Sequence, residues 1–346
     1  MTKSFLPLDQ FIEDALYNKE KGFYTNNYPF GKEGDFITSP HISILFSEMI
    51  TLWIILFWEY LKCPKKFYLV ELGAGNAEMM FRIIKTAKNF PKFYESVEFF
   101  IFEKSEYLKK IQTNKLHGMK VKWINDFKKI KSTNCFFLGN EFLDSFAIKQ
   151  FEKKNNVWFE KYVMTEDNEN KIVNLRVNIK KYEKKIGYNF SKKQNFFELS
   201  LEQINLIKQI SKILNKNLGG ILLIDYGFIN NKAFNSLQGV KKHSNYDYLK
   251  EKGKVDITHL INFDFIKKIF KLNNLKVSGI TSQGDFLNKM GIFNRAELLA
   301  KNLSFTKKAD LYLRLKRLTN KNQMGELFKV IFASNKLLNF KYGFKK

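Results

Sequence analysis

Cysteine, histidine, arginine and long apolar runs are all scarce in this chain, and each shortage closes off a class of protein. Two cysteines, Cys63 and Cys135, form no Cys-x-x-Cys pair, and only four histidines are present: His41, His117, His243 and His259. Neither a disulfide framework nor a tetrahedral zinc site can be built from that inventory at usual spacings, so no metal and a reducing compartment are expected. The most apolar segment, residues 49–58, is about half of what crosses a bilayer. Residues 1–16 carry Asp9, Glu13 and Asp14 where a signal peptide needs an apolar block. The expectation is a soluble, cytoplasmic bacterial protein with no membrane span. Arginine supplies only five of the 59 basic residues, in a chain of 346 residues with 34 acids and a net charge of +25. Recognition of phosphate and bases favours the bidentate guanidinium. The abundant Lys, Asn, Ile and Phe share AT-rich codons, so the surplus lysine reads as surface composition and not as a nucleic-acid footprint.

What is present is enough for a core: 45% of residues are hydrophobic and 36 are phenylalanine, which excludes wholesale disorder. Apolar spacing at Leu8, Phe11, Ile12, Ala15 and Leu16 predicts a first helix after Pro7, and a long apolar helix is predicted over 41–61. From Phe67 the texture changes. Short apolar runs at 67–72, 97–103, 121–123, 135–140 and 220–225 alternate with helical stretches such as 77–88 and 105–112. Continuous apolar strands separated by helices indicate a parallel sheet buried on both faces. Runs at 151–154, 157–164 and 171–177, joined at Asn155-Asn156 and at 166–170, suggest an antiparallel meander inserted into this α/β core. Further helices are predicted near 204–214, 263–270 and 310–318, with strands at 276–280 and 328–333.

The sharpest local signal is Val70-Glu71-Leu72-Gly73-Ala74-Gly75-Asn76-Ala77, which closes the first core strand and opens a helix. Glycines there permit a tight turn and close approach of a ligand. A dinucleotide site wants a third glycine and a helix N-terminus free for pyrophosphate, but Glu78 stands there. S-adenosylmethionine has no phosphate and is cationic, and Glu71 suits it better. Glu103 ends the second strand, where a carboxylate can accept from both ribose hydroxyls. Asp126 and Phe127, after the third strand, could hold adenine by a hydrogen bond and an aromatic wall. The fourth strand runs out into Asn140-Glu141-Phe142-Leu143-Asp144, beyond the carboxyl edge where ligands sit in open α/β sheets. Two carboxylates three apart could grip a guanidinium; the alternative is an ordinary helix cap with two solvated acids.

The ordered set Gly34-Asp-Phe-Ile-Thr-Ser-Pro40, Phe46-Ser-Glu48, Val70–Gly75, Asn140–Asp144, Ile224-Asp-Tyr-Gly227, Gln283-Gly284 and Met324–Lys329 resembles the MidA family, bacterial relatives of a mitochondrial complex I assembly factor that is a protein arginine methyltransferase. The resemblance runs from about Leu8 to Ala333. It implies a Rossmann-like class I methyltransferase fold with an N-terminal helical extension and an inserted substrate-covering segment. It also implies methyl transfer from S-adenosylmethionine to a protein arginine, with a complex I subunit as the partner. The expected layout is an extension over 1–62, a core over 63–346, an insertion at about 148–200 and an excursion at about 228–262. Glu141 and Asp144 are the candidate catalytic residues. Gly34, Thr38, Glu71, Gly73, Gly75, Glu103, Asp126, Phe127 and Asn140 are the candidate cofactor contacts. The sequence departs from the family at Ala74, Asn76, Ala77, His41 and Ser145–Ala147. Three rivals remain: a nucleic-acid methyltransferase, an NAD-dependent oxidoreductase, and a non-catalytic assembly chaperone of the same fold.

Overall fold

The structure, a computed structural model, describes residues 3–26, 39–130, 133–167, 169–229, 234–241 and 244–344. The strand Phe67–Leu72 lies inside an eight-stranded sheet, and its alternation explains why every residue along it is buried. Phe67 and Leu69 enter the core on one face, while Tyr68, Val70 and Leu72 enter the core on the other. Phe136 and Leu138 do the same against Cys135 and Phe137 in the next strand. A strand apolar on both faces is stable only between two helical layers.

From one edge the order is Leu275–Ser282, Phe328–Asn335, Gly219–Phe228, Asn134–Asn140, Phe67–Leu72, Val97–Phe102 and Val121–Ile124, with the short Ile261–Asn262 beside Gly219–Phe228. The five strands from Gly219–Phe228 to Val121–Ile124 pair in parallel, and Phe328–Asn335 runs antiparallel to both its neighbours. The order reverses at Phe67–Leu72, so its carboxyl end and that of Asn134–Asn140 flank a crevice at the topological switch point. The architecture is the mostly parallel, helix-covered α/β sheet that the sequence predicts.

The apolar helix Ile44–Tyr60 covers one face. Trp53, fully buried, packs among Phe136, Phe332 and Phe340 and donates its indole N–H to Tyr342 O at 2.9 Å. The helix starts later than the predicted residue 41 because Ser43, extended at φ −150°, caps it by accepting from Leu45 N. A separate turn, Ser39–Ile42, precedes it.

Residues outside the core make two smaller sheets. The long strand Val157–Glu166 takes Lys149–Lys154 and then Ser4–Pro7 along one edge and Glu169–Arg176 along the other, with Phe196–Leu199 beyond Lys149–Lys154. The N-terminal segment is therefore part strand, not wholly helical. A three-stranded sheet is formed by Gln238–Lys241, Ser244–Tyr246 and Asp256–Thr258. The helix Leu8–Tyr17 buries Leu8, Phe11, Ile12, Ala15 and Leu16 with Ile148, Val163 and Ile257, joining the N-terminus to both sheets. Lys149 reinforces the joint, donating to Asp9 at 2.8 Å and to Glu160 at 2.6 Å.

Candidate functional site

A cavity of about 580 Å³ opens at the switch point, within the ~300–1,000 Å³ usual for small-molecule sites. Its floor is the turn after Phe67–Leu72. Gly73, Gly75 and Ala77 all have positive φ, at 63°, 54° and 63°. A Cβ on Gly73 would meet the Phe142 ring at 2.6 Å, so glycine is required both for conformation and for the close packing of the two strand-end loops. Ala77 tolerates its left-handed backbone as the last residue before the helix Glu78–Ala87.

Gly73, Gly75, Glu71, Glu103, Asn140 and Glu141 all line the cavity. Glu71 is pushed up to about 8, first by burial and then by repulsion from Glu103, and its Oε2 has no hydrogen-bond partner. Glu103 is also raised by burial, although Ser105 N and the Gln112 amide each donate to it at 2.9 Å. Gln112 went unnoticed in the sequence. It is fully buried, donates at 2.9 Å to Gly75 O as well, and accepts the Trp123 indole N–H at 2.8 Å. Its only sequence trace is a polar residue among the few buried positions of a helix otherwise facing solvent.

Glu141 also lines the cavity, in a left-handed backbone (φ 50°). Its Oε1 accepts from Ser39 N and from the Asn140 amide, each at 3.1 Å, and burial pushes it up to about 8. Asn140 Oδ1 is buried with no partner. The strained turn is held by Asp225, whose Oδ2 accepts from Phe142 N at 3.1 Å, Leu143 N at 2.8 Å and Asp144 N at 3.4 Å. Successive backbone amides of this kind make a nest, filled here by Asp225, whose carboxyl is nonetheless raised well above the usual range by burial and by repulsion from Asp144 and Glu141.

Several expected contacts fall elsewhere. Asp144 does not line the cavity. Its Oδ2 accepts from the Tyr226 hydroxyl and from Thr258 at 3.1 Å, so only Glu141 of the two presents a carboxylate to the cavity. The two-carboxylate grip is thereby corrected: the turn points Asp144 back into the fold. Asp126 is exposed and closes a local turn by accepting from Lys128 N at 2.8 Å. Phe127 is buried between Phe102 and Phe137, with Phe102 forming the cavity wall that Phe127 was expected to supply. Gly34 and Thr38 lie outside the described residues. Glu78 pairs with Arg82 at 2.7 Å and with Lys115, so it is less a bar to phosphate than the sequence suggested. His259 is buried and held neutral, pushed down to about 4 by desolvation. Among the described residues no cluster could hold a metal, and no helix is long and apolar enough to cross a membrane.

The donor set tests the cofactor. Seven glutamates against Lys19 and Lys104, with two unsatisfied buried oxygens, Glu71 Oε2 and Asn140 Oδ1, call for a ligand that brings positive charge and hydrogen-bond donors. S-adenosylmethionine brings a sulfonium, an ammonium and ribose hydroxyls, and the residues present fit it.

Comparison with known proteins agrees. A family model described as "Putative S-adenosyl-L-methionine-dependent methyltransferase" matches residues 49–281. The Xenopus laevis protein named protein arginine methyltransferase NDUFAF7, mitochondrial, is 26% identical over 353 residues, covering 94% of this chain and 80% of its own. A Caenorhabditis elegans homologue of that name is 30% identical over 296 residues, covering 78% and 68%. A Burkholderia thailandensis structure with S-adenosyl-homocysteine bound superposes with a TM-score of 0.80 at 19% identity, covering 96% of this chain and 89% of the other. A native structure from the same organism gives 0.83 at 20%, covering 99% and 90%. Both share the fold.

Proposed function

The chain belongs to this family of S-adenosyl-L-methionine-dependent methyltransferases, and we propose that it transfers the methyl group to an arginine side chain of a protein. The observation that carries the proposal is Glu141: a half-buried carboxyl group in the wall of the cofactor cavity, its pKa raised first by desolvation and then by the nearby Asp144. A guanidinium is permanently protonated and delocalised, hence a poor nucleophile. When bound, S-adenosylmethionine supplies a methyl group already activated by positive sulfur. Glu141 then has two tasks. Its free oxygen holds the guanidinium in line, with the positive charge drawn away from the attacking nitrogen. Once the nitrogen is methylated, the Glu141 carboxylate would accept the proton that it loses.

On the cofactor side, Glu71 complements the cationic end, Glu103 the ribose hydroxyls, and the positive-φ turn at Gly73 and Gly75 admits the ligand. We read residues 3–26 of the expected 1–62 extension, the 148–200 insertion and the 228–262 excursion as the cover that encloses the acceptor, while Ile44–Tyr60 belongs to the core. Tyr17 and Tyr24, stacked 5.5 Å apart in the cavity wall, belong to that cover. The names of the relatives support arginine as the acceptor, and the motif resemblance supports a respiratory complex I subunit.

Incubating the chain with methyl-labelled S-adenosylmethionine and a respiratory-membrane fraction, then hydrolysing the protein, tests this. Label in methylarginine supports it; label only in nucleic acid, or none, overturns it.

A further inference from the structure

The helix Phe305–Thr319 has two apolar faces, only one of which is used by the fold. Leu311, Leu315 and Leu318, at i, i+4 and i+7, are buried in the core that also holds Trp53. Phe305, Ala309, Tyr312 and Leu313, at i, i+4, i+7 and i+8, lie on the opposite side, by helical periodicity, and all are exposed. Phe305 is 87% exposed and Leu313 67%. The helix before it, Ile292–Ala300, packs against it and repeats the pattern: Ile292, Ala296 and Ala300 are buried, while Leu298 is 59% exposed. Single exposed apolar residues are ordinary, but a stripe at helical spacing is not.

The surroundings say what covers it. By helical periodicity Lys316 falls within the stripe and Arg317 beside it, Lys301 lies between the two helices, and of the exposed acids on the pair Glu297 adjoins Leu298 while Asp310 is already paired with Arg314 at 2.7 Å. A second copy meeting this face about a two-fold axis would bring bases against bases. We infer that the 292–319 helical pair docks on an anionic lipid surface, with Phe305, Leu313 and Leu298 entering the headgroup boundary and the flanking bases meeting lipid phosphates. Part of the net charge then has a partner. Membrane docking is independent of the acceptor assigned above.

The test is sedimentation of the full chain with vesicles of phosphatidylcholine alone or with phosphatidylglycerol added. The expected result is partitioning onto the anionic vesicles only, weakened by salt. Phe305→Ser with Leu313→Ser should lower it about tenfold or more, and Lys301→Gln, Lys316→Gln and Arg317→Gln together should remove the dependence on phosphatidylglycerol. Unchanged heat of S-adenosylmethionine binding checks that the variants fold. Absence of binding to anionic vesicles, equal binding by the serine variant, or sedimentation velocity showing a dimer that the serine variant dissociates would each overturn the inference.

Discussion

The side-chain amide of Gln112 donates at once to Glu103 Oε2 and to Gly75 O, each at 2.9 Å. It thereby ties the glycine turn after one strand to the carboxylate that ends the next. Replacing Gln112 with Leu leaves two buried acceptors and the Trp123 N–H without partners. Each such group costs about 1–3 kcal/mol. We expect S-adenosylmethionine to bind at least about tenfold more weakly to this variant by calorimetry, with a shift in Trp123 fluorescence.

Glu71 gives binding a pH dependence with a definite sign. In the free protein its carboxyl is pushed up to about 8, so at pH 7 it is mostly protonated. A cationic ligand needs it ionised, so binding releases a proton and tightens as pH rises toward about 8. Calorimetry in buffers of different ionisation heats should detect that proton, and Glu71→Gln should abolish it.

How much of this was legible beforehand divides along physical lines. The core strands showed themselves because apolar runs between helices have no other stable use, and Glu71, Gly73, Gly75, Glu103 and Glu141 followed from strand ends. Asp126 and Asp144 did not, because spacing along the chain says nothing of where a turn points a side chain: one closes its own loop and the other faces Tyr226. Gln112 was hidden, as was the role of Asp225 beneath the 141–144 turn though its motif was legible, for a related reason. Their function is to satisfy backbone or buried groups far away in sequence, which no local pattern encodes. The short strands Phe196–Leu199 and Asp256–Thr258 lacked enough residues to show a period.

Asp225→Asn removes the carboxylate that accepts three backbone amides under the 141–144 turn. An asparagine amide turned toward those donors would repel them. The expected outcome is a loss of about 1–3 kcal/mol in stability by denaturant unfolding. Methyl transfer should fall more than cofactor affinity does, since the Glu71 end of the site is untouched.

Glu71 and Glu141 also set the stability of the free protein against pH. Both folded-state values lie near 8, above the ordinary 4.5, so protonation favours the fold. That contribution is fully present below about 4.5 and is lost as pH rises through about 8. The Tm of the ligand-free chain should fall across that interval. Glu71→Gln with Glu141→Gln should flatten the profile, and saturating S-adenosylmethionine should offset the fall at the upper end.

Glu141 as the group that holds the acceptor arginine and takes its proton is best examined in cells lacking this chain, by mass spectrometry of arginine methylation in respiratory complex I. Wild-type chain should restore a methylarginine that Glu141→Gln does not, although the variant protein still binds S-adenosylmethionine. The same arginine methylation with no chain, wild-type chain and the Gln variant would contradict it.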